Sequence, residues 1–170
     1  MSNNERSQPA PIYLTPGCAQ RLRAELKEIL YQLRPEMVKT AAWAASNGDR
    51  SENADYHYAK RKLRQYDGRI RFLTKRLEDA TIVDPVEQQK IAKGRVLFGC
   101  TVTIENEAGE EKIFKIVGTD ELDASRGYVS WVSPVGQALL GSSAGDLVSF
   151  KTPGGETELE IIKIEYKPLD

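Results

Sequence analysis

Apolar positions in the first half of the chain recur at steps of four and three. Leu22, Leu26, Ile29, Leu33, Met37, Thr40 and Ala44 form one such series, and Ala59, Leu63, Tyr66, Ile70, Leu73, Leu77 and Ala80 form a second. This is the spacing of a coiled-coil seam, so the pattern predicts two long helices joined around Gly48-Asp49 into a hairpin. Arms of about 30 residues rising roughly 1.5 Å per residue give a rod on the order of 45 Å long. Thr15-Pro16 supplies an N-cap with proline at the first helical position, and Ser51 is expected to cap a second helix beginning at Glu52. Pro35 has no amide donor and should kink the first helix, although the stripe resumes in phase at Met37.

After Asp84-Pro85 the period shortens to two. Alternating segments at Thr101–Glu105, Lys112–Val117, Tyr128–Val132, Leu147–Lys151 and Leu159–Tyr166 read as antiparallel strands separated by glycine-bearing turns. Pro134 to Leu140 has room for one short helix, with Ser133 as its N-cap and Gly141 as its stop. The fold class expected is α+β: an N-terminal antiparallel helical hairpin followed by a small antiparallel sheet with one short helix. The expected divisions are a flexible tail over 1–12, a coiled-coil hairpin over 13–84, a linker over 85–98 and a second domain over 99–170.

Charge sharpens this division. The formal net charge is −1, yet residues 1–84 hold 15 Lys/Arg against 11 Asp/Glu while residues 85–170 hold 9 against 14. Lys60, Arg61, Lys62, Arg64, Arg69, Arg71, Lys75 and Arg76 crowd one stretch with only Asp67 among them. Such a stripe attracts phosphates, although a solvated coiled-coil face has the same composition. The two cysteines, Cys18 and Cys100, match no metal spacing, and no apolar run is long enough for a bilayer, so a reducing cytoplasm and no membrane partner are expected.

Self-sufficient catalytic chemistry is hard to find. His57 is the single histidine, no glycine-rich phosphate loop is present, and nothing near either cysteine suggests an activated thiol. The informative segment is the expected hairpin tip, where Asp49, Glu52 and Asp55 fall within one to two turns. Carboxylates are hard ligands suited to magnesium, but this set is incomplete and would need a second protein to finish the site. Acidic residues at a helix start also simply favour the helix dipole. Trp43, Tyr56 and Tyr58 flank the tip, and Tyr56 continues the seam backwards, so its ring is expected between the arms.

These residues carry a resemblance. Trp43-Ala-Ala-Ser-Asn-Gly-Asp-Arg-Ser-Glu-Asn-Ala-Asp-Tyr56 resembles the coiled-coil tip of the Gre transcription elongation factors, and Arg50-Ser51 before Glu52 is similar to the GreB branch rather than GreA. Ser133-Pro-Val-Gly-Gln-Ala-Leu-Leu-Gly-Ser-Ser-Ala-Gly-Asp146 resembles the family's C-terminal motif. The resemblance implies an FKBP-like C-terminal domain that docks on bacterial RNA polymerase, with Ser133, Pro134, Gly136, Leu139, Gly145 and Asp146 on the docking side. It further implies that the hairpin enters the polymerase's secondary channel, where Asp49 and Glu52 share magnesium with the polymerase and stimulate its cleavage of backtracked RNA. Trp43, Asn53, Asp55 and Tyr56 would pack the tip, and the basic stripe would lie near the nascent RNA 3′ end. Magnesium is expected only jointly with the polymerase, and no small-molecule substrate is expected.

Other readings stay open. A secondary-channel factor can inhibit polymerase through the same acidic tip. An FKBP-like half also admits a prolyl isomerase, for which Phe98, Phe114, Tyr128, Trp131 and Phe150 would have to line a pocket instead of a core. A structural coiled-coil adaptor would make the tip carboxylates irrelevant.

Overall fold

The computed structural model describes residues 9–48 and 52–169. The chain divides into two compact units: Ala19–Asp79, and the described residues up to Cys18 together with those from Ala80 on.

The first unit is the helical hairpin. Its first arm runs through α1 (Pro16–Glu28), a π-helical turn (Ile29–Leu33) and α2 (Arg34–Ala45), and its second arm is α3 (Ala54–Asp79). Thr15 caps α1 as expected, its Oγ1 accepting from the Cys18 amide at 3.2 Å. Pro35 acts differently from a simple kink. Because it cannot donate to the carbonyl four residues back, the turn before it widens, and the Arg34 amide donates five residues back to Ile29. The helix continues without a break and the seam keeps its phase.

Every seam position expected within this unit is buried or half-buried, with Leu22, Ile29, Ala44, Ala59 and Leu73 the most enclosed. Two ion pairs lie across the seam, Arg34 to Asp67 at 2.8 Å and Arg69 to Glu25 at 2.7 Å. The second helix begins later than expected. Asn53 caps it, accepting from the Tyr56 amide at 3.1 Å, and α3 starts at Ala54 with Glu52 in the preceding turn. Ser51 itself lies outside the described residues.

The second unit contains β3 (Thr101–Asn106), β4 (Glu111–Val117), β5 (Tyr128–Ser130), β6 (Leu147–Thr152) and β7 (Gly155–Glu165). They form one sheet in the order β5-β4-β3-β7-β6. All pairings are antiparallel except β4 with β5, which is parallel. The antiparallel sheet expected is present, and the strand reading did not distinguish this one parallel pairing. Two 3-10 turns, Thr119–Glu121 and Ala124–Arg126, carry the chain back so that β5 begins beside Lys115.

The core of this unit is Val96, Cys100, Val102, Ile104, Ile116, Leu139 and Ile161, each at most 1% exposed. Burial of such a side chain contributes about 1.5–3 kcal/mol. In β7 the inward apolar set changes parity, from Leu159 and Ile161 to Ile164 and Tyr166. A bulge explains this: the register with β3 passes from Thr103–Lys163 to Ile104–Ile161, leaving Ile162 as the extra residue, exposed on the outside. Helix α5 (Pro134–Leu139) is the short helix expected, with Ser133 Oγ accepting from the Gly136 amide at 3.1 Å.

Two features of this unit were not anticipated. The expected linker over 85–98 contains α4 (Pro85–Ala92), capped by Asp84, whose carboxylate accepts from the Val86 amide at 2.9 Å. The stretch from Ala80 therefore belongs with the sheet, not with a free connector. Residues just before α1 join it too, since β1 (Tyr13–Leu14) pairs in parallel with β2 (Thr81–Ile82). Thr15 reinforces that junction. It is fully buried and donates to both carboxylate oxygens of the buried Glu121, at 2.6 and 2.8 Å.

Candidate functional site at the hairpin tip

The end of the hairpin is closed by backbone hydrogen bonds rather than by bulk. Ser46 Oγ donates to the Trp43 carbonyl at 2.7 Å, and the Asn47 amide donates to the Ala44 carbonyl at 3.2 Å, finishing α2. Asn53 then spans the gap. Its Nδ2 donates to the same Ala44 carbonyl at 2.5 Å while its Oδ1 caps α3. One side chain thereby ties the last turn of one arm to the first turn of the other.

Glu52 sits immediately before that tie, exposed and outside the helix. Asp55 is exposed in the first turn of α3. Glu52 is in the turn and Asp55 in the helix, so the two do not share a helix face as a start at Glu52 would have given them. Asp49 lies outside the described residues. Among the described residues no group of three or more His, Cys, Asp and Glu could hold a metal ion. Glu52 offers a hard oxygen donor to solvent, which suits magnesium as one ligand of a set completed elsewhere.

Of the aromatic residues near the tip, Trp43 is 58% exposed and Tyr58 is 48% exposed. Tyr56 is half-buried, its ring edge-on to His57 at 5.7 Å between centroids. In the basic stripe, Arg69 is held by Glu25 and Lys75 by Asp79 at 3.1 Å. Lys60, Arg61, Lys62 and Arg64 make no ion pair with any described residue. Their charge lies in the half of α3 nearest the tip.

The C-terminal motif separates into structural and accessible residues. Leu139 is fully buried and Gly136 is packed under Ser130, where a Cβ would overlap the Ser130 carbonyl oxygen. Both seat α5 on the sheet, so any contribution of theirs to a docking face runs through the position of that helix. Pro134, Gly145 and Asp146 are exposed and Ser133 is half-buried. Asp146 accepts from the Ser143 amide at 2.8 Å, and Gly145 uses φ +91° to shape that turn.

The cysteine and isomerase readings lose support here. Cys100 is fully buried, and burial pushes its thiol up to about 11, opposite to the activation a nucleophile needs. Phe98 and Tyr128 are buried, and Phe114, Trp131 and Phe150 pack against the core of the sheet. These rings fill the interior. Among the described residues no helix is long and apolar enough to cross a membrane.

Comparison with known proteins matches residues 12–82 to the model "Transcription elongation factor, N-terminal" and residues 91–166 to "Transcription elongation factor, GreA/GreB, C-term". Transcription elongation factor GreB of Neisseria meningitidis serogroup B is 47% identical over 93% of this chain and 96% of its own length. The chain belongs to the GreA/GreB family. GreB of Yersinia pestis is 44% identical over 93% of this chain and 91% of its own. A crystal structure of a GreA factor homolog from Thermus thermophilus covers 92% of this chain and 99% of its own at 26% identity, with a TM-score of 0.41.

Within this family frame, sequence reading missed Phe72, which is 40% exposed in the middle of the basic stripe. The signal was present. Tyr58 and Phe72 each stand one residue before a seam position, at Ala59 and Leu73, and so on the neighbouring face of α3.

Proposed function

We propose that this protein binds bacterial RNA polymerase in the cytoplasm and inserts its helical hairpin into the secondary channel. There it stimulates the polymerase's own endonucleolytic cleavage of the 3′ end of backtracked RNA, rescuing arrested complexes. The observation that carries this reading is the placement of Glu52: an exposed carboxylate in the turn between two long arms, beside a side chain that fixes both arms.

Each part of the hairpin has a task in such a reaction. The seam keeps the arms together over a length suited to a narrow channel. Asn53 orders the backbone that follows Glu52, so its carboxylate is presented from a fixed base instead of a frayed helix end. Lys60, Arg61, Lys62 and Arg64 would draw the phosphates of the extruded RNA toward the same end. Glu52 and Asp49 would hold magnesium together with carboxylates of the polymerase. When bound, magnesium stabilises the charge that develops on the oxygens of an in-line phosphodiester displacement and lowers the pKa of water. The protein is an accessory to another enzyme's active site.

Transcript cleavage by purified, deliberately backtracked polymerase in magnesium tests this directly. Faster release of short 3′ fragments on adding the protein is the expected outcome. Binding that slows RNA synthesis with no added cleavage would replace it with the inhibitory reading.

A further inference from the structure

We infer that Tyr58 and Phe72 are stacking platforms for the bases of single-stranded RNA running along the exposed face of α3. The inference deepens the proposed function and rests on its reading that this helix meets RNA.

The face in question is laid out by the coiled-coil spacing itself. Tyr58, Lys62, Gln65, Arg69, Phe72 and Arg76 follow one another at steps of four and three, each one residue before a seam position. They therefore form a continuous line beside the seam, in which the two rings are flanked by cations, with Gln65 midway between Lys62 and Arg69. The side chains touch along this line. Lys62 Nζ lies 6.0 Å from the Tyr58 ring centroid, and the guanidinium carbons of Arg69 and Arg76 lie 5.1 and 4.9 Å from that of Phe72.

Neither ring is needed by a core. Tyr58 is 48% and Phe72 is 40% exposed, on an arm whose seam is already filled by Ala59, Leu63, Tyr66, Ile70 and Leu73. Each ring therefore keeps part of its surface open to solvent beside its flanking cations. Arg69 is moreover fixed in place, its Nε and Nη2 donating to Glu25 at 2.7 and 2.9 Å. A guanidinium tied on its edge to a carboxylate and lying with one face over a ring keeps only its opposite face for stacking.

Charge selects the occupant. The arm is strongly basic and presents Lys60, Arg61, Lys62 and Arg64 without ion-pair partners among the described residues, so a polyanion is complementary to it. Exposed rings interleaved with cations are the combination that holds a single strand, phosphates on the cations and bases on the rings. The 14 residues from Tyr58 to Phe72 correspond to about 21 Å of helix. At about 3.4 Å per nucleotide of a stacked strand, roughly six nucleotides reach from one ring to the other.

The test is a fluorescence-anisotropy titration of the full chain with a labelled 12-nucleotide single-stranded RNA at several salt concentrations. The variants are Tyr58→Leu, Phe72→Leu, Phe72→Trp and the charge control Lys60→Ala/Arg61→Ala. Each leucine variant should weaken binding about five-fold or more while leaving the slope of affinity against salt unchanged, because stacking releases no counterions. Phe72→Trp should bind as tightly as the native chain or tighter. The charge control should lower the slope. The inference is overturned if the native chain fails to bind the RNA, or if Phe72→Leu lowers only the melting temperature and leaves RNA affinity intact. No polymerase is present in this titration. Native stimulation of transcript cleavage combined with unaltered RNA binding by the leucine variants would remove the stacking role alone.

Discussion

Asn53 donates from Nδ2 to the Ala44 carbonyl oxygen at 2.5 Å, joining the start of α3 to the last turn of α2 across the hairpin tip. Its Oδ1 is engaged at the same time by the Tyr56 amide. The side chain is used at both ends, and its loss frees a helix N-terminus and a carbonyl together. Asn53→Ala should cost about 0.5–2 kcal/mol from the cap alone. Asn53→Asp keeps the acceptor but loses the donor, so it should recover stability only in part. Chemical denaturation of the three proteins measures the order native, Asp, Ala. Cleavage stimulation should fall in the same order while far-ultraviolet circular dichroism stays constant.

The ion pairs across the seam make the hairpin sensitive to acid. The Arg34 guanidinium hydrogen-bonds Asp67 and holds its carboxyl below the usual range, and Arg69 does the same to Glu25. With the folded values depressed, the unfolded chain binds more protons as the pH falls, so stability rises with pH. The contribution is fully present above the unfolded carboxylate range. It begins to fade as pH drops toward about 4 and is lost below the depressed folded values. Melting temperature followed from pH 7 to pH 3 should fall less steeply in Asp67→Asn/Glu25→Gln than in the native chain. Both pairs are partly exposed, so added salt should narrow the difference.

Gly136 is needed for contact, not for backbone freedom. A Cβ there would overlap the Ser130 carbonyl oxygen and come within 3.0 Å of the Trp131 Cα, all backbone atoms that cannot turn aside. Gly136→Ala should destabilise the sheet unit by about 1–3 kcal/mol, as overpacking does. Gly145→Ala meets no atom within 4 Å and suffers only the strain of φ +91°. Calorimetry of the two variants should show the larger loss at Gly136.

What could be read from the sequence follows from how locally each feature is encoded. The hairpin was legible because its seam repeats over many turns, and α5 because Ser133-Pro134 and Gly141 bracket it. Asp84-Pro85 is the same kind of signal as Thr15-Pro16, and α4 lies behind it. It passed for a connector because eight residues show too little periodicity. The pairing of Tyr13–Leu14 with Thr81–Ile82 and the parallel direction of β5 are decided by distant partners, which alternation along a strand does not encode. At the tip, the acidic residues stood out by type. Asn53 took the capping role assigned to Ser51, because either residue can supply the oxygen acceptor and spacing alone does not choose between them. Leu139 and Gly136 were drawn into a docking set by motif, although their burial makes them supports.

The central claim is that Asp49 and Glu52 act in the reaction and not in attachment. The most direct test measures polymerase affinity and transcript cleavage together, on a backtracked complex in magnesium, for the native chain and for Asp49→Asn/Glu52→Gln. These substitutions keep the shape of each side chain and remove only its charge. The account predicts a dissociation constant within about two-fold of native, with cleavage stimulation lost. Stimulation that survives at the native level would contradict it.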